Sequence, residues 1–423
     1  MLDIKFIREN LTLMREVAKN KRIELDFENL LAIDDKRREL LAQSETIRAS
    51  QKKLGKDDIA KAKELKEQYQ KLEAELKIIQ AEFETQMAFV PNIYSDDTPV
   101  GKSECDNQEI SKWGEPRKFD FSPLDHIALG KKLDIIDTER GTEVSGFRGY
   151  YLKNEGAMLQ FALMWHALKK LQAKGFNLMF TPTILREFSL FGSGHLPQGR
   201  DNIYQIANAP DICTTGEEKE PKYMAGTSES ALLAYYAGQT LEENKLPIKL
   251  AGYSQCYRSE IGSYGKDTKG LYRVHEFSKV EQIVICKADK TVAEGIFQEL
   301  HKNSCELLEE LGLPYRTLRI CTADMGAGKY KMYDVETWMP SRQAYGETHS
   351  DSNLTDWQAR RLNIKYKNQK GEKLFAYTLN NTMVASPRIL IAILENHQQA
   401  DGSVAVPDVL QPYLGFKVIK PKN

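Results

Sequence analysis

The segment from Cys256 to Glu281 carries the densest set of side chains able to do chemistry. Arg258 and Glu260 follow one apolar run, and Arg273 lies just before the next. The stretch between them is rich in glycine and carries further Lys and Asp residues, which is unusual for a plain connection between two strands. The spacing therefore predicts a strand, a long polar loop and a second strand, with charged groups gathered at the loop.

Several common chemical signatures do not occur in the sequence. It has no GxxxxGK[ST] loop and no GxGxxG turn, so neither P-loop nor Rossmann nucleotide binding is predicted. The six cysteines never approach CxxC spacing and the seven histidines include no HxxxH pair, so neither disulfides nor zinc are expected. No Ser/His/Asp or Cys/His set indicates a protein nucleophile. Any bound nucleotide must be held by another arrangement.

The charged loop and its two flanking strands closely resemble motif 2 of the class II aminoacyl-tRNA synthetases, in the form seen in seryl-tRNA synthetases. The matching stretches are CYRSEIGS at 256–263, GKDTKG at 265–270 and YRVHEFSKVE at 272–281. Four further stretches resemble the same family, namely GF at 175–176 with TP at 181–182 (motif 1), NNT at 380–382 through Arg388 to EN at 395–396 (motif 3), TSE at 227–229, and YGETHSDSN at 345–353 followed by TDWQARR at 355–361. The resemblance covers essentially the whole chain.

The resemblance implies an ATP site. In that site Arg258 would contact the α-phosphate, Glu260 would accept from the adenine amino group, and Phe277 would stack on the adenine ring. Arg388 would lie on the other face of the ring and approach the γ-phosphate, and Arg273 would be a further ATP-binding residue. Attack of a carboxylate on the α-phosphate builds negative charge that fixed cations stabilise, so Arg258 and Arg388 are the expected catalytic residues. Taken alone, an arginine in a strand more often forms a salt bridge, and a phenylalanine more often belongs to the core.

The resemblance also implies a serine pocket and a magnesium site. The expected serine-binding residues are Thr227, Glu229, Arg258, Glu281, Asn380 and Thr382. The two glutamates would bind the ammonium and the small hydroxyl, and the last threonine would close the pocket. Glu347 and Ser350 match the family's metal positions, and oxygen ligands together with ATP suit Mg²⁺. Without its neighbours, Glu347 would read as an exposed loop carboxylate.

The chain departs from the family pattern at several of these positions. Pro387 stands before Arg388, where glycine is usual, and it is tolerable if it lies at the start of a helix. His349 and Asp351 stand where Ser and Cys are usual, and Gly226 stands for a proline. Glu276 likewise replaces a glutamine. None of these changes removes an expected phosphate, metal or serine contact.

The elements that precede the site begin with a helical stretch. Residues 28–86 contain no proline and a single glycine, Gly55, in a Lys/Glu/Gln/Leu/Ala-rich composition that predicts two long antiparallel helices. The second helix has a coiled-coil seam with 4,3 spacing at Leu65, Tyr69, Leu72, Leu76, Ile79, Phe83 and Met87. The first has a less regular stripe at Leu30, Ile33, Leu40, Leu41 and Ile47. A short polar link, 52–58, joins the two helices.

The tip of this hairpin is basic. From Arg48 to Lys66 there are seven basic and three acidic residues, a net charge of 7 − 3 = +4. A rigid basic rod suits an elongated phosphate backbone, but a solvated hairpin used for dimerisation fits the pattern equally well. Since seryl enzymes carry such an appendage, the resemblance favours tRNA binding by Arg48, Lys52, Lys53 and Lys56.

Composition and length limit the number of domains and the class of protein that the chain can be. Its 423 residues predict two or three domains, and a net charge of −1 gives no overall attraction to nucleic acid. The longest aliphatic stretch, Ile389 to Leu394, is far shorter than the roughly 20 residues of a membrane span, so a cytoplasmic protein is expected. Predicted strands are Ile248–Tyr253, Val280–Cys286 and Phe375–Leu379, and predicted helices are Glu294–Leu311 and Ile389–Gln398.

The predicted fold class is α+β. An N-terminal tRNA-binding domain, residues 1–100 with an antiparallel coiled-coil arm at about 28–88, precedes a class II catalytic domain, residues 101–423. The catalytic domain would have a mainly antiparallel sheet flanked by helices, with motif 1 at about 160–185, motif 2 at about 251–281 and motif 3 at about 378–398.

The resemblance implies serine activation with ATP and transfer to tRNA(Ser), and to tRNA(Sec) where it exists, by a homodimer that uses Mg²⁺. Two alternatives stay open at this stage. One is a relative that passes an activated small amino acid to another acceptor, and the other is a non-catalytic RNA-binding or dimerisation protein.

Overall fold

The chain folds into two compact units, Met1–Ile93 and Tyr94–Asn423. The structure is a computed structural model that describes residues 1–55, 58–207, 220–261 and 269–422. Among these residues, no helix is long and apolar enough to cross a membrane.

The first unit is helical. Its helices are α1 (Ile4–Glu9), α2 (Leu11–Asn20), α3 (Phe27–Gln51) and α4 (Ile59–Phe89). The side chain of Asp26 caps α3 by accepting from the backbone N–H of Asn29 at 2.9 Å. Helices α3 and α4 form the long hairpin that the sequence predicts, and their base packs with α1 and α2 around Ile7, Met14 and Phe27.

The seam between α3 and α4 follows the predicted spacing on α4 but not throughout α3. On α4 the seam residues are half-buried towards the tip and buried at Phe83 and Met87. On α3 the prediction for Leu41 is wrong, because its side chain is 38% exposed while Ser44 is buried. The guanidinium of Arg37 lies 4.2 Å from the ring centroid of Phe83. Polar residues therefore occupy seam positions of α3, which explains why its apolar stripe is irregular.

The described strands of the second unit are β1 (Gln108–Trp113), β2 (Ile136–Asp137), β3 (Tyr151–Leu152), β4 (Asn177–Phe180), β5 (Ile184–Arg186), β6 (Gln205–Ile206), β7 (Lys222–Met224), β8 (Thr240–Glu242), β9 (Ile248–Tyr257), β10 (Glu276–Cys286), β11 (Tyr315–Arg319), β12 (Lys331–Met339), β13 (Ala344–Thr355), β14 (Lys365–Lys367), β15 (Lys373–Phe375), β16 (Tyr377–Ala385), β17 (Val404–Ala405) and β18 (Val418–Ile419).

Eight of these strands form one large sheet with the strand order β1-β11-β12-β13-β16-β10-β9-β4. All neighbours in this sheet pair antiparallel except β4 and β9, which are parallel.

Helices cover this sheet and complete the core. The described helices are α5 (His126–Leu133), α6 (Thr138–Ser145), α7 (Asn154–Ala173), α8 (Glu187–Ser193), α9 (Glu229–Ala234), α10 (Lys290–Glu310), α11 (Trp357–Leu362), α12 (Ser386–Asn396) and α13 (Gln411–Leu414). Ten of the eleven residues of β10 are buried, as expected for a central strand with both faces covered. The α+β class with a mainly antiparallel sheet is thus confirmed.

The predicted elements differ from the observed ones mainly at their ends. Helix α10 begins at Lys290, four residues before the predicted start, because the side chain of Asp289 accepts from the N–H groups of Thr291 and Val292. The predicted strand Phe375–Leu379 is split at Ala376 between β15 and β16. Pro387 lies in the first turn of α12, where a missing N–H costs no helical hydrogen bond.

Candidate active site

One cavity of about 370 Å³ lies over the strands at the centre of the sheet. It is lined by β10, β13 and β16, by the segment that follows β9 (Arg258 and Glu260), by the start of α9 and by the start of α12. Two strand ends, a turn and two helix starts converge there because the antiparallel pairs of β10 with β9 and with β16 bring distant segments into register. The cavity therefore collects residues from 195 to 388.

All twelve residues that the sequence predicts for ATP, serine and metal binding line this cavity. They are Thr227, Glu229, Arg258, Glu260, Arg273, Phe277, Glu281, Glu347, Ser350, Asn380, Thr382 and Arg388. Residues 262–268 of the predicted motif 2 lie outside the described residues. The structure thus brings the predicted residues together, while their roles toward substrates remain predictions.

One end of the cavity is buried and acidic. Glu229 is the first residue of α9, and its Oε1 accepts from Nε2 of Gln358 at 2.6 Å and from Nδ2 of Asn380 at 2.9 Å. Two neutral amides thus fix the carboxylate, and a carboxylate has about four acceptor positions, so room remains for another donor. Buried groups of this kind are stable only when their hydrogen bonds are made.

A second carboxylate, that of Glu281, lies at the same end. It forms a buried ion pair with Lys279, and Nζ of that lysine also donates to Oγ1 of Thr227 at 3.3 Å. Burial raises the pKa of Glu281, the positive charge of Lys279 opposes the rise, and the charge of Glu229 adds to it. The negative charge of Glu229 thus adds to the cost of ionising Glu281, and an ammonium ligand would offset that cost.

The other end of the cavity is rich in arginine. The guanidinium of Arg258 lies 5.4 Å from the ring centroid of Phe277, and its Nε donates to the backbone carbonyl of Gly226 at 3.3 Å. Nη1 of Arg273 donates to Oε2 of Glu260 at 3.0 Å. These contacts hold the Arg258 and Arg273 guanidinium groups at one wall.

The backbone at Glu260 is itself unusual. Its φ of 53° lies in the left-handed region, which a non-glycine residue occupies at a cost of the order of 1 kcal/mol. Oδ1 of Asn202 accepts from the N–H of Glu260 at 2.9 Å, and the N–H of Ser259 donates to the carbonyl of Asn202 at 3.2 Å. A turn outside the predicted motif therefore holds Glu260 in place, as strained positions at functional sites require.

Arg388 is held by two neighbours, Glu347 and Tyr272. Its Nη1 donates to the backbone carbonyl of Glu347 at 2.7 Å and to the Oε2 of that residue at 3.2 Å. Its Nε donates to the carbonyl of Tyr272 at 3.2 Å, and its guanidinium lies 4.5 Å from the Tyr272 ring centroid. The guanidinium of Arg342 lies 4.1 Å from the same ring. An aromatic ring and a carboxylate thus orient the second predicted catalytic arginine.

The predicted metal residues belong to an all-oxygen donor set. The Glu347 side chain is half exposed, and Ser350 pairs across the sheet with Asp334. Burial and the charge of Glu347 raise the pKa of Asp334, and a hydrogen bond with Ser350 partly opposes the rise. Oδ1 of Asp334 is buried and finds no hydrogen-bond partner among the described residues. Carboxylate and hydroxyl oxygens with an unsatisfied acceptor fit a hard cation such as Mg²⁺.

No group of three or more His, Cys, Asp and Glu side chains in the described part of the chain could hold a metal ion. Several cavity residues carried no signal in the sequence as binding groups. They include His195, Asn202, Tyr272, Lys279 and Lys329. Asp334, the partner of Ser350 across the sheet, was also missed, and strand pairing could have indicated it.

The predicted tRNA-binding residues lie at the tip of the first unit. Arg48 forms an ion pair with Glu73 at 3.7 Å, and its guanidinium lies 4.9 Å from the Tyr69 ring centroid. Lys52 and Lys53 are exposed at the end of α3. Lys56 lies outside the described residues. Of the four predicted tRNA-binding residues, the structure thus describes two exposed lysines and one partly engaged arginine.

Two family descriptions match the chain. Residues 213–397 match "tRNA synthetase class II core domain (G, H, P, S and T)", and residues 1–94 match "Seryl-tRNA synthetase N-terminal domain". The sheet and the cavity are thus those of a class II aminoacyl-tRNA synthetase core.

Relatives and solved structures narrow the family. The chain is 44% identical to a serine–tRNA ligase of Borrelia garinii subsp. bavariensis over 100% of both chains, and 43% identical to that of Deinococcus radiodurans over 99% of both. It superposes on seryl-tRNA synthetase from Pyrococcus horikoshii complexed with ATP with a TM-score of 0.88, at 34% identity and full coverage of both chains. The cytoplasmic serine–tRNA ligase of Naegleria fowleri in complex with AMP gives 0.86 at 33% identity, covering 100% of this chain and 99% of the other. The chain belongs to the seryl-tRNA synthetase family.

Proposed function

We propose that the chain activates L-serine with ATP, forming seryl-adenylate and pyrophosphate, and then transfers serine to the 3′ end of tRNA(Ser). The observation that carries this proposal is the polarity of one cavity. A buried acidic end suits the ammonium of an amino acid, and the arginine-lined opposite end suits a triphosphate. The reaction of aminoacyl-tRNA ligases of this family joins an amino acid to ATP, so it needs both the acidic end and the arginine-lined end of the cavity.

Arg258 and Arg388 serve the nucleotide in this proposal. Attack by the serine carboxylate puts negative charge on the α-phosphate oxygens, and a guanidinium offers two parallel donors to them. Arg258 takes that position, since its side chain is anchored at Gly226 beside Phe277. The Phe277 ring stacks on adenine, Glu260 accepts from the adenine amino group, and Arg273 holds Glu260 in place.

The serine site lies at the acidic end. Glu229 and Glu281 bind the ammonium and the hydroxyl, and the Asn380 amide that donates to Glu229 keeps the carboxylate oriented. Thr227 and Thr382 are buried at 2% and 7% exposure, so they limit the room beside a side chain as small as that of serine. Arg258, at the arginine-rich end, serves both substrates in this proposal.

Mg²⁺ is the proposed cofactor. Glu347 and Ser350 would hold it, with ATP oxygens supplying further ligands, and the ion would neutralise phosphate charge. The ion pair between Glu347 and Arg388 places a cationic side chain next to that site. The chain's own contribution is to fix the carboxylate and the guanidinium relative to one another.

The first unit is the proposed tRNA reader. Residues 1–100 form the tRNA-binding domain and residues 101–423 the catalytic domain. Arg48, Lys52, Lys53 and Lys56 would contact RNA phosphates, so binding would depend on shape and on salt rather than on base edges. By the same contacts, tRNA(Sec) would also be a substrate where it exists.

A homodimer is supported by an unpartnered apolar face on the predicted motif 1. Met158, Phe161 and Trp165 follow one face of α7 and are 44%, 66% and 53% exposed, and Phe180 on β4 is 83% exposed. Exposed aromatic side chains in such a row are typical of an interface. A second copy of the chain is the proposed occupant, and the cytoplasm is the proposed location.

Exchange of labelled pyrophosphate into ATP, run without tRNA, tests the activation step. We expect exchange with L-serine and little with glycine, alanine or threonine. Subsequent charging of tRNA(Ser) tests the transfer step. Serine exchange without charging would favour a different acceptor, and no exchange with any amino acid would overturn the proposal.

A further inference from the structure

His195 lies in the acidic end of the cavity but has no role in the reaction as described so far. It follows Gly194, whose φ of 89° ends helix α8 in the left-handed region. A Cβ at that glycine would lie 2.5 Å from the Trp357 ring, so only glycine fits the turn without a shift. The backbone of His195 is therefore placed by close packing.

The turn is also tied to the serine site by hydrogen bonds. The N–H of His195 donates to the carbonyl of Leu190 at 2.9 Å. Nε2 of Gln358 donates both to the carbonyl of Ser193 at 2.8 Å and to Oε1 of Glu229 at 2.6 Å. One amide thus fixes the turn and a predicted serine-binding carboxylate to each other.

The hydrogen bonds of the imidazole decide which nitrogen carries the proton. Nδ1 of His195 lies 2.9 Å from Oγ of Ser193 and 3.4 Å from Oγ of Ser230. The Ser193 hydroxyl is within donating distance of the carbonyls of Ser189 and Leu190, at 3.1 and 3.2 Å. Oγ of Ser193 also lies 2.7 Å from Oγ of Ser230, so its one proton can go to a carbonyl or to that hydroxyl, and in both cases its oxygen can accept from Nδ1–H. In that tautomer Nε2 carries a lone pair.

Nε2 of His195 is available to a molecule bound in the cavity. None of the described residues hydrogen-bonds to it, and the His195 side chain lines the cavity with Thr227 and Glu229. Burial lowers the pKa of His195, and the positive charges of Lys329, Arg258 and Lys279 lower it further, against the charge of Glu229. A neutral ring with an available acceptor therefore lines the cavity beside the amino-acid end.

We propose that Nε2 of His195 accepts a hydrogen bond from the side-chain hydroxyl of bound serine and so helps to select serine over alanine. The inference rests on the proposed function and adds a specificity-determining residue to it. This refines the serine site proposed above: Glu229 and Glu281 both bind the cationic ammonium, and His195 rather than a carboxylate accepts the single proton of the hydroxyl, because a neutral imidazole acceptor matches a neutral hydroxyl donor. Alanine would leave Nε2 desolvated and unpaired, which penalises its binding.

The test compares two substitutions at this position in the full chain. His195→Leu keeps a side chain of similar reach but has no acceptor, and His195→Gln places an amide oxygen near the position of Nε2. In pyrophosphate exchange, we expect His195→Leu to lower kcat/KM for serine about 10- to 100-fold, as loss of a buried hydrogen bond predicts. The KM for ATP should stay within about twofold, and His195→Gln should recover part of the loss.

Alanine distinguishes this role from a structural one. Its kcat/KM, or its inhibition constant against serine where turnover is too slow, should be nearly unchanged by His195→Leu, so discrimination falls. Equal losses for serine and alanine, or no loss for serine, would overturn the inference. Ser193→Ala, which frees Nδ1, should weaken serine binding several-fold even if the leucine variant folds poorly, and an unchanged serine KM in that variant would count against the inference.

His166→Leu, a change outside the cavity at a histidine paired with Glu310, is the matched control. Failure of the proposed function is separately visible, because the unmodified chain would then show no serine-dependent exchange.

Discussion

The two units of this chain use charge in opposite ways. The hairpin of α3 and α4 keeps most of its charged side chains on the surface, where Lys36 pairs with Glu75 at 3.4 Å and both side chains are about half exposed. Asp34, buried at 2% exposure beside Arg8 and Arg37, is an exception. The cavity of the second unit buries Glu229, Lys279 and Glu281, each held by named partners. Exposed pairs contribute little stability, whereas a buried charge that loses its partner is costly.

This contrast indicates where function can be changed without loss of folding. Substitutions at the tip of the hairpin remove charge from water and leave packing intact, so they should act on RNA binding alone. Substitutions in the cavity leave neighbouring buried groups without a hydrogen-bond or ion-pair partner.

The largest effect is expected for Arg258→Ala. Loss of the guanidinium proposed to contact the α-phosphate should slow serine-dependent exchange by about 10²- to 10³-fold, the usual cost of one donor to a developing oxyanion. The measurement is steady-state exchange, with Arg140→Ala, an exposed arginine paired with Glu143, as the control. An effect below tenfold would contradict the catalytic role.

Glu229→Gln should act on the amino acid alone. The amide keeps the shape of the side chain but removes the charge proposed to bind the ammonium, so the KM for serine should rise about 10- to 100-fold. The KM for ATP should change little, because the arginine end of the cavity is untouched. A parallel rise in both constants would show that Glu229 maintains the whole cavity instead.

Acid sensitivity should reside in the second unit. Burial lowers the pKa of His301 from 6.5 to about 4, so the folded chain holds this ring neutral while the unfolded chain protonates it. Stability is therefore present at neutral pH and is lost as the pH falls below about 6.5, by about 2 kcal/mol between pH 7 and pH 5.

His301→Gln should remove that part of the pH dependence. Free energies of unfolding at pH 7 and pH 5 provide the measurement. If wild type and variant lose the same amount on acidification, His301 does not titrate as its burial predicts.

The smallest effect is expected for the double change Lys52→Ala with Lys53→Ala. Affinity for tRNA should fall several-fold, and the slope of log affinity against log salt should flatten by about one to two units, since two phosphate contacts are lost. Glu45→Ala with Glu64→Ala, on the same hairpin, is the control with opposite charge. A loss of affinity that does not depend on salt would argue against phosphate contacts.

The sequence was most informative where one pattern decided the structure. The 4,3 spacing from Leu65 to Met87 predicts the seam of α4, because a surface helix needs only its own periodicity to be recognised. Leu41 shows the limit of this reasoning, since the polar residue Ser44 takes the buried position on α3.

The resemblance located all twelve predicted residues, and the structure gathers them in one cavity. Their supporting contacts could not be predicted in the same way. Gln358 meets Glu229 across 129 residues of chain, and Asn202 meets Glu260 across 58, so only the assembled sheet brings them together. His195 was missed for the same reason, because a lone histidine after a glycine turn carries no signal until the cavity is formed.

In the proposed division of roles, the second unit activates serine and the first unit binds the tRNA. Measuring both half-reactions on one preparation of the Lys52→Ala, Lys53→Ala chain tests this division. We expect pyrophosphate exchange with serine equal to that of the unmodified chain, together with a several-fold loss in tRNA charging at subsaturating tRNA. Equal losses in both half-reactions, or unchanged charging, would contradict it.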